Sequence, residues 1–313
     1  MSGLSARDIG HRVVVRYRLP EPINGHHLTD VLGVLQAYDA RQLVVRRSDA
    51  SLQAVPLDAV QAAKPIQPIP LRKVDREQIL LATGLNRPAI ETVQLGEWLL
   101  RASGGWTGRG NSLLPYGDPG LPLEKALAEV ADFYRVRDLP PLALTVLGSP
   151  LEEVLRAEGW VEARPEQSDV LLLHTSIDLV NADPGVEIVI DDKPSEPWYD
   201  ATAEGVPPVG RKMLEGAAPP VAFASIRVDG QIAAVGRGAL TGHWLGVDAI
   251  HVREPYRRRG LATAMLRGLA RWAGPLGGRR TYLEVLEDNQ PAMATYTTLG
   301  YTEAYRYRYK TLP

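Results

Sequence analysis

The chain has 313 residues, 45% of them hydrophobic and 23% charged, with a formal net charge of −2. That length accommodates two or three domains with cores of their own, and the balance excludes a disordered or fibrous chain. Near-neutral charge gives no global pull toward nucleic acid, and the absence of cysteine removes disulfides, thiolate metal sites and a thioester-forming Cys nucleophile.

No run of about 18 apolar residues is present, and the first residues, MSGLSARD, lack the apolar core of a signal peptide. The expectation is a cytoplasmic protein with no membrane segment. Residues 11–63 alternate short β-rich runs (11–17, 29–35, 42–47) with turn-like gaps, which predicts a small β-barrel. Its Arg12, Arg16, Arg18, Arg46 and Arg47 offer contacts to phosphates, but the barrel has no Trp or Phe for base stacking, so a solvated surface is the preferred reading and nucleic acid is not an expected partner. The proline-studded KPIQPIPL at 64–71 predicts a semi-rigid linker and makes the barrel a separate module.

Beyond the linker the pattern is mixed α/β. Segments 97–103 and 111–115 read as paired strands around the glycine-rich GGWTGRG at 104–110, most simply a flexible hairpin loop. A helix over 122–137, a strand at 142–147, a helix over 150–158 and a strand at 169–174 follow. A second α/β series begins at 186. Laid over the first at an offset of 141, it puts Pro150 on Pro291, Gly159 on Gly300, Trp160 on Tyr301, Glu162 on Glu303 and Ala163 on Ala304, the pattern of a structural duplication. Helix-to-strand turns that converge on Gly account for part of the same match.

In the second series the apolar run 244–252 leads into REPYRRRG and then a helical stretch from Leu261. Arg257-x-x-Gly260-x-Ala262 therefore stands where a helix begins. The first helical turn carries unpaired N–H groups and partial positive charge, and Arg257, Arg258 and Arg259 add to it, a combination suited to a diphosphate. The Lys-Ser/Thr of a P-loop is missing, as is a GxGxxG after the first strand of this series.

This loop resembles the acetyl-CoA pyrophosphate motif, Gln/Arg-x-x-Gly-x-Gly/Ala, of the GNAT N-acetyltransferase superfamily. LEVLEDNQPA at 283–292 and YTTLGY at 296–301 resemble the second signature of that family: a strand, an Asn, an Ala three residues on, then a Tyr and a Gly-aromatic pair. The resemblance covers roughly residues 186–313. It implies an α/β fold with a mixed sheet and tandem GNAT-like domains: a small Tudor-like β-barrel with its linker (1–70), a degenerate GNAT-like domain (71–181) and a catalytic domain (182–313). The layout is similar to that of actinobacterial GNAT proteins.

The resemblance further implies direct attack of an amine, of a protein or of a small molecule, on the thioester of acetyl-CoA within a ternary complex. Pantetheine would insert where the strand at Ile250, His251 and Val252 splays from that at 283–286. Arg257, Arg258, Arg259, Gly260, Leu261, Ala262 and Thr263 would hold the diphosphate, with Asn289 and Ala292 near the pantetheine arm. Tyr296 takes the position of the acid that protonates the CoA thiolate; the competing readings are a core aromatic for Tyr296 and a plain helix cap for Asn289. Asp248, His251 and Glu284 are the candidate bases, with Glu284 first. Strand alternation puts Asp248 and Ile250 on one face and His251 on the other.

Trp198, Tyr199, Glu204 and Glu215 fall in the segment that lines acceptor clefts in the family. No metal site is expected, since His26 and His27 are adjacent and the other histidines are scattered. In the first half, positions 257, 260, 262, 289 and 296 map to Tyr116, Pro119, Leu121, Gly148 and Leu155, which removes every expected chemical group. That half is expected to be catalytically silent. An acyl-CoA-binding regulator without turnover is the alternative for the whole chain.

Overall fold

The computed structural model describes residues 3–47, 51–66, 71–203, 205–218 and 220–313. Five strands, β1 (Arg12–Ile23), β2 (His26–Tyr38), β3 (Gln42–Arg46), β4 (Leu52–Pro56) and β5 (Val60–Pro65), form an antiparallel sheet in the order β4-β3-β2-β1-β5. Period-two alternation buries Val13, Val15 and Tyr17 of β1 against Val31, Leu35, Leu43, Val45 and Val55. Among the described residues no ladder joins β4 to β5, so the expected barrel is an open sheet. Lys64 and Pro65, expected in the linker, pair with Val14 and Val13 of β1. Residues 67–70 of the expected linker lie outside the described residues. Several arginines of this module are committed internally. Arg16 grips Asp30 at 2.8 Å, Arg47 bonds Gln53 at 2.8 Å, and Arg46 is buried and donates to the carbonyl of Asn181. Arg12 lies 3.5 Å from Asp178. Arg12 and Arg46 thus fasten the module to the segment that joins the two halves.

The first half continues with α1 (Lys73–Asn86), β6 (Glu91–Leu95), β7 (Trp98–Ala102), α2 (Leu123–Arg135), β8 (Leu142–Val146), α3 (Pro150–Ala157), β9 (Val161–Glu162) and β10 (Val170–Ser176). The short α4 (Ile177–Val180) leads into β11 (Val189–Asp191), α5 (Glu196–Asp200), α6 (Pro208–Glu215), β12 (Val221–Val228), β13 (Gln231–Thr241) and β14 (Trp244–Val252). Then come α7 (Leu261–Ala273), β15 (Arg280–Leu286), α8 (Gln290–Thr298) and β16 (Thr302–Thr311). The ladder partner of β7 is β6; segment 111–115, expected as that partner, contributes a bridge between Leu114 and Leu99.

One mixed sheet runs β11-β12-β13-β14-β15-β10-β16-β8, with β9 paired to β16. Strand β10, which ends the first half, lies between β15 and β16, and β16 lies between β10 and β8. Each half therefore lends its last strand to the other. Seven residues of β10, Val170 to Ser176, pair in unbroken register with Leu286 to Arg280 of β15. The cores merge accordingly: Leu171, Leu173 and Ile177 pack with Leu266 and Leu269 of α7 and Leu283 of β15. The boundary expected near 181 does not divide the sheet.

His174 of β10 is buried in this shared region, its Nδ1 has no hydrogen-bond partner, and burial together with Arg280 and Arg76 lowers its pKa from 6.5 to about 4. The unfolded chain therefore takes up this proton below about pH 6.5 while the folded chain refuses it until about pH 4, so stability falls as the pH drops through that window. The expected loss is about 3 kcal/mol. Urea unfolding of the wild type and of His174→Gln at pH 7 and pH 4.5 should show a shallower pH dependence in the variant; equal slopes would contradict the assignment.

Candidate active site

Strands β14 and β15 run parallel and pair at Trp244–Arg280, Leu245–Thr281 and Gly246–Tyr282, and then the ladder stops although both strands continue. On its other side β14 changes register against β13 between the pairs Arg237–Asp248 and Val235–His251. Two residues of β14, Ala249 and Ile250, thus oppose the single Gly236, and Ala249 takes a left-handed φ of 52°. This bulge corrects the expected alternation. Asp248 joins Arg87 and Arg237, whereas Ile250 packs against the core that holds α7.

Where the strands part there is a cavity of about 290 Å³. It brings together Asp248, Ile250, Glu284, Asn289 and Tyr296 from the sequence-predicted set. His251, Val252 and Ala292 are not among its lining residues. Tyr296 projects from α8 beside Tyr301, with ring centroids 5.8 Å apart, and burial pushes its pKa up to about 12, so the phenol keeps its proton at neutral pH. Asn289 caps α8 by accepting from the N–H of Ala292 at 3.3 Å, and it also faces the cavity.

Both carboxylates are held by arginines. Asp248 lies 3.1 Å from Arg87 and 3.0 Å from the fully buried Arg237; burial opposes its charge, but the two guanidiniums outweigh it and hold the carboxyl below its ordinary pKa. Glu284 accepts from Arg109 at 2.6 Å and from the Tyr307 hydroxyl at 2.7 Å. Arg87, Arg109, Arg237 and Tyr307 were not among the predicted residues. A lone Arg between two glycines in the apolar run AAVGRGAL was the available signal for Arg237.

The glycine-rich run is a built loop and not a flexible hairpin tip. The Asn111 carboxamide accepts from the N–H groups of Ser103 (2.7 Å) and Gly105 (2.9 Å) and donates to the carbonyls of Trp106 (2.8 Å) and Thr107 (2.9 Å). A Cβ at Gly108 would come within 2.7 Å of the Tyr309 ring, and one at Gly110 within 2.3 Å of Met213. This packing carries Arg109 of the first half into the cavity of the second.

Beside the parted strands, helix α7 starts at Leu261 after Gly260, whose φ is 76°. An added Cβ at Gly260 would meet no protein atom within 4 Å, so the left-handed angle, and not lack of room, calls for glycine here. Arg257, Arg258 and Arg259 are exposed and, among the described residues, none is paired with a carboxylate. Arg257 Nε donates to the Val252 carbonyl at 3.1 Å, and Arg259 lies over the Tyr256 ring at 5.5 Å. Buried Leu261 anchors the helix start, with Ala262 and Thr263 half-buried beside it. The loop that precedes α2 in the first half differs in kind. It borders a cavity of about 430 Å³ lined by residues such as Trp98, Pro115, Pro119, Leu121 and Pro150, with no arginine or lysine in the lining.

The expected acceptor residues lie elsewhere. Trp198 and Tyr199 are buried in a cluster with Phe223 and Val235; Trp198 Nε1 donates to the Ala224 carbonyl at 3.0 Å, and the Tyr199 hydroxyl donates to Glu215 at 2.5 Å. None of the three lines the cavity. Local sequence marked them as aromatic and acidic; the core claimed the aromatics. Glu204 lies outside the described residues.

Comparison with known proteins places these features in context. A family model described as the C-terminal part of the probable histone acetyltransferase Rv0428c matches residues 75–310, and one for the Rv0428c N-terminal Sm-like domain matches residues 7–64. The chain is 27% identical to the probable histone acetyltransferase Rv0428c of Mycobacterium tuberculosis over 96% of its length and 94% of the relative. It is also 27% identical to an uncharacterized N-acetyltransferase, YobR, of Bacillus subtilis, over 77% of this chain and 98% of that one. The fold is similar to that of a GCN5-related N-acetyltransferase from Kribbella flavida, with a TM-score of 0.54 at 19% identity, covering 76% of this chain and 95% of the other.

Proposed function

The chain belongs to the GNAT acetyltransferases, in the family of the Rv0428c C-terminal domain, and on that premise we propose that it moves an acetyl group from acetyl-CoA directly to a primary amine in a ternary complex. The observation that carries this reading is the parting of β14 from β15 beside an arginine-rich helix start. Free strand edges suit the amide groups of pantetheine, and the first turn of α7 with Arg257, Arg258 and Arg259 suits the diphosphate.

The amine nitrogen bonds to the thioester carbon and the carbon–sulfur bond breaks. One ammonium proton leaves to Glu284 before attack, directly or through water; Tyr296 gives its phenolic proton to the departing thiolate, and the second proton that the nitrogen sheds as the neutral amide forms restores the phenol. Asp248, kept ionised by Arg87 and Arg237, suits holding the amine more than deprotonating it. In this reading residues 182–313 form the catalytic domain, residues 71–181 a silent partner that supplies β10 and Arg109, and residues 1–70 the appended module. One relative is named a probable histone acetyltransferase, which puts a protein amine beside a small-molecule amine as acceptor classes. Initial rates at varied acetyl-CoA and amine should give intersecting double-reciprocal lines; parallel lines with an acetylated chain would contradict direct transfer.

A further inference from the structure

Two of the charged groups that line the cavity, Arg87 and Arg109, come from the first half. Arg87 shares Asp248 with Arg237 of the second half, so that carboxylate has a guanidinium from its own half as well. Glu284 has no such second partner. Among the described residues Arg109 is its one cationic neighbour, its Nε–H donating to Oε2 at 2.6 Å across 175 residues of sequence, while the Tyr307 hydroxyl donates to Oε1 at 2.7 Å. Each carboxylate oxygen is gripped separately, which fixes the place of the group and the rotation of its plane. The Glu284 side chain is only 14% exposed, so these two donors stand in for water that it has lost. An ionised carboxylate has about four acceptor positions, and two bonds leave room for an ammonium or a water.

The loop that delivers Arg109 is held against its own preference. Thr107, two residues before it, has a positive φ of 62° with a ψ of 144°, a region that a β-branched residue rarely enters. The Asn111 carboxamide ties the turn together, and Trp106 lies so close to α6 that a Cβ at Gly210 would come within 2.6 Å of its ring. Such a conformation persists only where its surroundings impose it, and it is commonest at functional sites. From the grip and the loop together we infer that Arg109 is a positioning residue of the second half's chemistry, acting through Glu284 by holding the carboxylate where it takes the ammonium proton. The inference rests on the acetyl-transfer reading above, with Glu284 as the base. The first half, silent on its own account in that reading, completes its neighbour's site.

The test is a double-mutant cycle on the full chain: Glu284→Gln, Arg109→Gln and the two combined. CoA release gives kcat and KM with acetyl-CoA and whichever of free lysine, spermidine and a lysine peptide blocked at both ends the wild type acetylates fastest. Rates are taken per folded chain, the folded fraction coming from urea unfolding, so that lost stability is not counted as lost chemistry. Arg109→Gln should lower kcat about tenfold to a hundredfold and leave the KM for acetyl-CoA within about twofold. In the Glu284→Gln background the same substitution should change kcat by less than about twofold, because a group that acts only through Glu284 then has nothing to position. Arg109→Lys keeps the charge between the halves without the planar fork, and it runs the same cycle with a smaller loss if the Gln variant does not fold. A wild-type kcat in the Arg109 variants, or losses that multiply in the double variant, would overturn the inference and leave acetyl transfer standing. A wild-type kcat in Glu284→Gln would remove the base and this inference with it. No transfer to any of the three amines would strike the acetyl-transfer reading beneath both.

Discussion

Tyr296→Phe is expected to lower kcat by about tenfold to a thousandfold while acetyl-CoA affinity barely changes. The ring packs beside Tyr301 and against the α7 core, and the Phe variant retains that packing. Only the hydroxyl is lost. Burial keeps this phenol protonated, its pKa pushed up to about 12, so at neutral pH it has the proton that the proposed transfer asks of it. A purely structural tyrosine gives the opposite pattern: near-normal turnover in Phe and a defect only in Tyr296→Ala, where a cavity opens. Measuring both variants with one turned-over amine separates chemistry from packing.

The second large effect is expected at the arginine loop. Replacing Arg257 and Arg259 together by Ala removes two guanidiniums that no carboxylate of the described protein neutralises. Charge-assisted contacts to phosphate are worth about 1.5–3 kcal/mol each, so acetyl-CoA affinity should fall by tenfold or more per arginine, about a hundredfold for the pair. Because these side chains are exposed, salt screens them, and the salt dependence of binding should flatten in the double variant.

What could be read beforehand divides along physical lines. The Arg257–Gly260 loop and the capped start of α8 at Asn289 were legible, because helix starts and left-handed turns demand particular residues at adjacent positions. Tyr296 followed from the resemblance of YTTLGY at 296–301 to the family's second signature. The shared face that alternation predicts for Asp248 and Ile250 is interrupted, since a bulge centred on a non-glycine such as Ala249 leaves no mark in the residue pattern. The exchange of β10 and β16 was equally hidden: β10 is a continuous buried run and β16 alternates Tyr with Arg and Lys, but neither pattern names its neighbours, which are chosen by long-range packing. Arg109 sits in a run that drew notice for its glycines, yet its partner Glu284 is 175 residues away. Trp198 and Tyr199 went to the core because a large aromatic gains more from burial than from lining a wet cleft.

In the proposed function the second half alone carries an acetyl-CoA site, at the start of α7. Calorimetric titration of the full chain with acetyl-CoA, at low and at physiological ionic strength, tests it most directly when the wild type is compared with the Arg257→Ala, Arg259→Ala double variant. One molecule should bind per chain, about a hundredfold more weakly in the variant and with a flatter response to salt. Two molecules bound per chain, or an affinity unchanged by the double substitution, would contradict it.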